Sequence, residues 1–319
     1  MNVTLPPPAA AGSLSHLPLP LLAVPMGLGG VGLAWRQAST SLGVPALIGE
    51  AMLALMVFAW LTLVALHALR ALRHPAALRA DLRHPVRAPF LAAGTIGLML
   101  VSAALWPYAP VMAQAAWGVS VALHLLIAMW LLRRILGGRG EVAMLAPPLL
   151  IPFVGNILAP VFGAPMGFPD ASWAMFGVGL VLWLAVMPLL LQRLLAGPPL
   201  PAPLLPSIAI LVAPPTVGAL ALMALAPDAR GPVLALTGVA VLVTAALLSL
   251  AGEIARAPFG LPWWGLTFPS AAFAVLVMAT GFHPALGWSA LLFATAVTGH
   301  VAVRTASMAL SGAFTRAET

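Results

Sequence analysis

Apolar residues fall in long runs along this chain, and polar positions are confined to short gaps between them. Ten runs can be drawn, over residues 17–35, 46–69, 89–106, 111–132, 148–165, 173–194, 205–225, 233–251, 261–282 and 285–310. About 20 apolar residues suffice for a helix to cross the hydrocarbon core of a bilayer. The pattern therefore predicts an all-α membrane protein with ten transmembrane helices. They form a single domain over 17–311, between short tails at 1–16 and 312–319. The gaps leave no room for a separate soluble domain. The first sixteen residues lack a positively charged start and a cleavage signal, so they read as a disordered tail.

The odd runs differ from the even ones. Pro25 lies in the first, Pro152 in the fifth, Pro214 and Pro215 in the seventh and Pro269 in the ninth. The third has Gly94 and Gly97 at a similar depth. Runs two, four, eight and ten have no interior proline, and the sixth has only Pro188, near its end. Proline removes a backbone N–H and displaces the carbonyl four residues back, at about 3 kcal/mol in a helix. In lipid the freed carbonyl finds no water, so such breaks persist where backbone packs in protein or lines a wet cavity. The alternation predicts five helical hairpins, each a broken helix followed by an intact one, a repeat seen in transport folds. The plainer alternative is that proline is simply common in membrane helices; the regular alternation weighs against it.

Composition agrees: 62% of residues are apolar and 7% charged, against about 25% charged in soluble domains. With no cysteine, disulfide and thiolate chemistry are excluded. The net charge of +7 comes from fourteen arginines, and their placement sets orientation. With a cytoplasmic N-terminus, one face holds twelve (Arg70, Arg73, Arg79, Arg83, Arg87, Arg133, Arg134, Arg139, Arg193, Arg256, Arg304, Arg316) and the other only Arg36 and Arg230. That bias predicts both termini in the cytoplasm. It also explains the positive charge without nucleic acid, and no cofactor or metal is expected.

All seven acidic residues lie at run ends, in loops or in the tail. A cation pore carries rings of Asp or Glu, and a proton-coupled carrier buries a carboxylate or histidine. The odd runs offer Thr95, Ser102, Asn156, Thr216, Thr267 and Ser270 instead. A conduit lined by these is nearly uncharged and ringed by arginine at its cytoplasmic mouth, which favours anions through the field.

Several features invite sharper readings. Gly27-Leu-Gly29-Gly-Val-Gly32 matches the dinucleotide-binding glycine pattern, with Glu50 near the acidic position. That motif needs a preceding strand, and close helix contact through small residues fits better. His124 could serve a metal or a proton relay, but bonding to a neighbouring helix fits an even run. Trp263 and Trp264 read as interfacial aromatics, and Glu253 with Arg256 as a local ion pair. Arg87 has two readings of equal weight: an anion funnel at the start of the third run, or a residue snorkelling to lipid phosphate. An intramembrane enzyme finds no Ser-His-Asp set, paired carboxylates or ligand cluster in the runs.

The ordered set of segments resembles the tellurite-resistance/dicarboxylate transporter family, which includes bacterial tellurite-resistance proteins and plant slow-type (guard-cell) anion channels. The likeness is carried by Val24-Pro-Met-Gly-Leu-Gly to Trp35, His84-Pro-Val-Arg87, Pro152 to Asn156, Met187 to Gln192, Ala213-Pro214, and Trp263 to Pro269. The third run departs from some relatives in having Thr95 in place of proline. The resemblance implies a quasi-fivefold arrangement around a central pore, with the even helices outside. It implies a multi-pass homotrimer in the bacterial inner membrane, each protomer having its own pore. It further implies passive flux of small inorganic or carboxylate anions, with Phe268 at the place of a pore-gating phenylalanine. Phe268 as a packing residue remains the alternative. The other function is a secondary transporter or exporter of C4-dicarboxylate, sulfite or tellurite-type oxyanions. Such a carrier needs a coupling-ion site, and no buried carboxylate offers one.

Overall fold

The computed structural model describes residues 13–315. The outer tails, with Arg316 and Glu318, lie outside the described residues. Ten helical segments follow the ten runs. They are α1 (Leu19–Ser41), α2 (Ala46–Arg73), α3 (Ala88–Leu105), α4 (Pro110–Leu136), α5 (Pro147–Gly163), α6 (Pro169–Ala196), α7 (Ala202–Leu225), α8 (Arg230–Ser249), α9 (Leu261–Ala279) and α10 (Pro284–Leu310). Among the described residues, nine are long and apolar enough to cross a membrane; α5 is shorter. It breaks because Pro148, Pro152 and Pro160 interrupt it, so it alternates between 3-10 and α turns. Short helices Pro75–Arg83 and Ala251–Arg256 sit in the loops.

Odd and even helices are packed differently. Between 61% and 78% of α1, α3, α7 and α9 is buried, against 11% to 28% of the long even helices. In α5 every residue is buried except Gly155, Val161 and Phe162. The even helices turn Leu55, Phe58, Leu61 and Leu242 outward. A contiguous exposed apolar surface of this kind fits lipid, not water. The odd helices touch in a cycle: α1 meets α3, α3 meets α5, α5 meets α7, α7 meets α9, and α9 returns to α1.

Each odd helix opens with a 3-10 stretch before turning α: Leu19–Leu22, Ala88–Phe90, Pro147–Leu149, Ala202–Val212 and Leu261–Trp263. Every stretch carries a proline in its first two positions. There the missing N–H is one that no intrahelical bond would use. The switch to α geometry comes at Ala23, Leu91, Leu150, Ala213 and Trp264. Pro25, Gly94, Pro152, Pro214 and Pro269 all fall within about two turns after it.

Some expectations need correction. Residues 13–16 are ordered: Ser13 caps a 3-10 turn, and its N–H donates to the Thr315 carbonyl at 2.9 Å. Trp264 is fully buried between α9 and α10, where its indole N–H donates to Thr305 Oγ1 at 3.0 Å. Trp263 is half-buried, and its indole N–H donates to the Pro258 carbonyl at 3.1 Å. Glu253 and Arg256 form no ion pair among the described residues. Both are exposed in a single-turn helix, where water competes well for each charge.

Candidate pore and its constriction

The Thr267-Phe268-Pro269 segment is pressed against α1. A Cβ built on Gly27 would lie 2.1 Å from Thr267 Oγ1, and one on Gly30 would lie 3.1 Å from Phe268 Cδ2. On the other faces of α1, Gly29 meets Leu100 and Met56, and Gly32 meets Leu53. The glycine pattern of α1 is therefore a close-packing device, as the plainer reading had it. It lets α9 approach closely enough for the Phe268 ring to rest on bare backbone.

Phe268 stands between two cavities. The narrower, about 40 Å³, lies toward the starts of the odd helices and is lined by Met26, Ile151, Ile210 and Pro214 among others. The wider, about 280 Å³, lies toward the opposite end, beside Gly30, Arg36, Gln37 and Ala272. Leu158, Val217 and Phe268 line both. Three helices, α5, α7 and α9, thus each supply one apolar side chain to the level shared by the two cavities. Phe268 was singled out in the sequence, and Leu158 and Val217 were not. Leu158 and Val217 stand in uniformly apolar runs with nothing local to mark them.

The hydroxyl lining expected from the sequence is absent from both cavities. Thr95, Ser102, Thr216, Thr267 and Ser270 donate instead to carbonyls in the preceding turn of their own helices, at 2.6–2.9 Å. The Asn156 amide donates to the carbonyls of Pro152 and Phe153 at 3.1 and 2.9 Å, repairing the break in α5. Both cavities are walled mainly by hydrocarbon, with Arg36, Gln37 and Thr40 the polar part of the wider one. Of the expected kink residues, Pro214 and Pro269 line the narrower cavity, while Pro25, Gly94 and Pro152 line neither cavity.

His124 is fully buried behind α5. Its Nδ1 and the Thr95 hydroxyl share a hydrogen bond of 2.7 Å. A Cβ on Gly155 would come within 2.6 Å of the ring. This is helix-to-helix bonding, and among the described residues no group of three or more potential ligands surrounds it.

Charge gathers at the two ends. At the arginine-rich end, Asp81 is buried, with its carboxylate 2.8 Å from Arg70 and 3.3 Å from Arg87. Arg87 keeps 41% of its side-chain exposure, so the trio presents net positive charge beside the start of α3. At the other end, Arg36 binds Glu50 through Nε and Nη2 at 2.8 and 2.7 Å. It also donates to the last carbonyls of α3, Ala103 and Ala104, at 2.7 and 3.2 Å. Tyr108, in the α3–α4 turn, bonds the same carboxylate, which raises its pKa above the ordinary tyrosine value. The sequence reading used Arg36 only as a topology marker.

The chain matches the family described as SLAC1, voltage-dependent anion channel, over residues 16–309. It is similar to a protein named tellurite resistance protein TehA homolog from Haemophilus influenzae, 26% identical over 61% of this chain and 57% of that protein. It is similar also to the S-type anion channels SLAH2 and SLAH3 of Arabidopsis thaliana. They are 27% and 25% identical over 75% and 84% of this chain, and 44% of each of those proteins. The chain spans about half the length of these relatives.

Proposed function

The chain belongs to the voltage-dependent anion channel family, and from that premise we propose that it is a passive channel for small anions, shut by Phe268. One observation carries the reading: Phe268, with Leu158 and Val217, is common to the walls of two cavities. An apolar constriction blocks ions by excluding water, so it needs no charge to close. The remaining wall supports anions over cations, since no acidic residue lines either cavity.

The ten segments act as ten spans around a central pore, in five quasi-equivalent hairpins. For α5, with six residues in 3-10 geometry and eleven in or near α, the rise totals roughly 28 Å, close to the hydrocarbon thickness of about 30 Å. The cycle of contacts among odd helices and the exposure of the even ones support the same arrangement. Three such protomers assemble, each with its own pore, with both termini cytoplasmic. Crosslinking in native membranes that yields only monomer and dimer would remove the trimer.

Recording anion current per surface-expressed protein tests the gate. Phe268→Ala should leave a folded protein with much larger current in chloride, nitrate or malate. A packing residue would instead lose about 3–5 kcal/mol of stability, with lower yield and no gain in current. Saturating, ion-coupled flux without conductance would replace the channel with a carrier. In the same recordings Arg87→Glu should reduce anion access from the arginine-rich side. The reduction should fade as the Debye length falls from about 10 Å at 0.1 M salt to 3 Å at 1 M. An unchanged current would leave Arg87 a lipid anchor.

A further inference from the structure

The wider cavity contains one charged wall residue, Arg36. The surroundings of that guanidinium are asymmetric. Glu50, Ala103 and Ala104, which accept its hydrogen bonds, are not in the cavity wall; Arg36 is. Arg36 thus meets this cavity where Glu50 does not, although the two side chains are about equally exposed, at 22% and 25%. Guanidinium has five N–H donors. Four are taken by Glu50 and the two carbonyls, which leaves one on Nη1. Gln37 and Thr40 flank it in the same wall. Elsewhere that wall is hydrocarbon, so the local field is little screened by other groups.

From this geometry we infer that Arg36 is the anion-docking residue of the wider mouth, with Glu50 as the fixed counter-charge that sets how strongly it holds. The ligand is a small monovalent anion of the chloride or nitrate type, held by the free N–H and the residual positive potential. Complete neutralisation would leave nothing to attract an anion. Weakening the counter-charge would gather more anion at this mouth, while the remaining bonds of Arg36 to α3 keep its hold weak enough for the anion to leave. The bonds to α3 matter here as well. They keep the guanidinium in place at a helix C-terminus, where a cation is favoured, even when Glu50 changes.

This inference rests on the channel reading, so its test uses Phe268→Ala channels as the parent. Adding Glu50→Gln should raise chloride current from the Arg36 side at low salt by about threefold, the Boltzmann factor of one unit charge across about 7 Å of water. The gain should vanish at 1 M salt. The doubly neutral Arg36→Gln/Glu50→Gln should fall below the parent, and Arg36→Lys/Glu50→Gln should restore the gain. A residue that only clamps α1 to α2 and α3 would give equal unitary currents and equal salt dependence in all of these, and that result overturns the inference. Should Glu50→Gln fail to reach the membrane, Gln37→Glu is read instead. Gln37 bonds only within its own helix, and its new carboxylate should cut low-salt current about threefold; no change would equally overturn the inference. A parent without anion current would refute the channel reading itself, and this inference with it.

Discussion

Single glycines decide where the Phe268 ring can sit. The packing of Gly27 against Thr267 and Trp264 leaves no space for a methyl group: an added Cβ would lie 2.1 Å from one and 2.8 Å from the other. Gly27→Ala should therefore destabilise the fold by about 1–3 kcal/mol through overpacking. Gly118→Ala, on the outward face of α4 with nothing within 4 Å, should be neutral or gain up to about 1 kcal/mol from helix propensity. Thermal melts of the two variants in one detergent give the comparison, and a Gly27→Ala protein as stable as its parent would refute the packing account. The sequence spoke clearly about these glycines, because small residues in a membrane helix have few other uses. It was silent about Arg36. An arginine counted for topology looks the same whether it meets lipid headgroups or, fourteen residues on, the Glu50 carboxylate. The hydroxyls were misread for a related reason. A serine or threonine on a helix can face the lumen or bond the turn before it, and no pattern of neighbours tells which.

At the level of the helix, proline placement foretold the division of labour, and burial bears it out. The odd helices are packed inside and the even ones face outward. The 3-10 openings were not legible, since 3-10 and α turns differ by one step in hydrogen-bond register and share the same residues. The repair of α5 is the consequence most open to test. In a continuous helix the N–H of residue 156 would bond the Pro152 carbonyl; here the Asn156 side chain does so, and reaches Phe153 as well. Asn156→Ala leaves both carbonyls short of a donor in a dry interior, a loss of about 1–3 kcal/mol. The expected result is a lower melting temperature together with faster hydrogen exchange confined to α5. Protection unchanged in 150–163 would mean that water or a neighbouring helix makes the repair.

For the whole molecule, charge asymmetry predicts the direction in the membrane. Cytoplasmic reporters fused after Arg83 and Arg139 should be active, and one fused after Asp170 inactive. The opposite pattern would invert the molecule and exchange the two mouths. The helices were legible from hydropathy alone, although among the described residues nine, not ten, are long enough to cross a membrane. What hydropathy could not supply was the order of neighbours, because every run is apolar enough to pack against any other. The structure resolves it through shape: glycine faces on α1 for α9 and α2, and indole N–H groups that join even helices to odd ones, as Trp60 to the Gly94 carbonyl and Trp117 to the Ala159 carbonyl, at 2.8 and 2.9 Å.

The contact of α9 with α1 has a mechanical meaning. Every other neighbouring pair of inner helices is tied covalently, through an intervening outer helix and its two loops. Between α9 and α1 no such link runs among the described residues, and closure relies on contacts: Thr267 against Gly27, Trp35 Nε1 to Thr295 of α10 at 3.0 Å, and the Ser13 N–H to the Thr315 carbonyl at 2.9 Å. The assembly is a split washer, not a welded hoop. Its one slit runs beside the helix that carries Phe268, so slight parting there would enlarge the bore without stretching any loop.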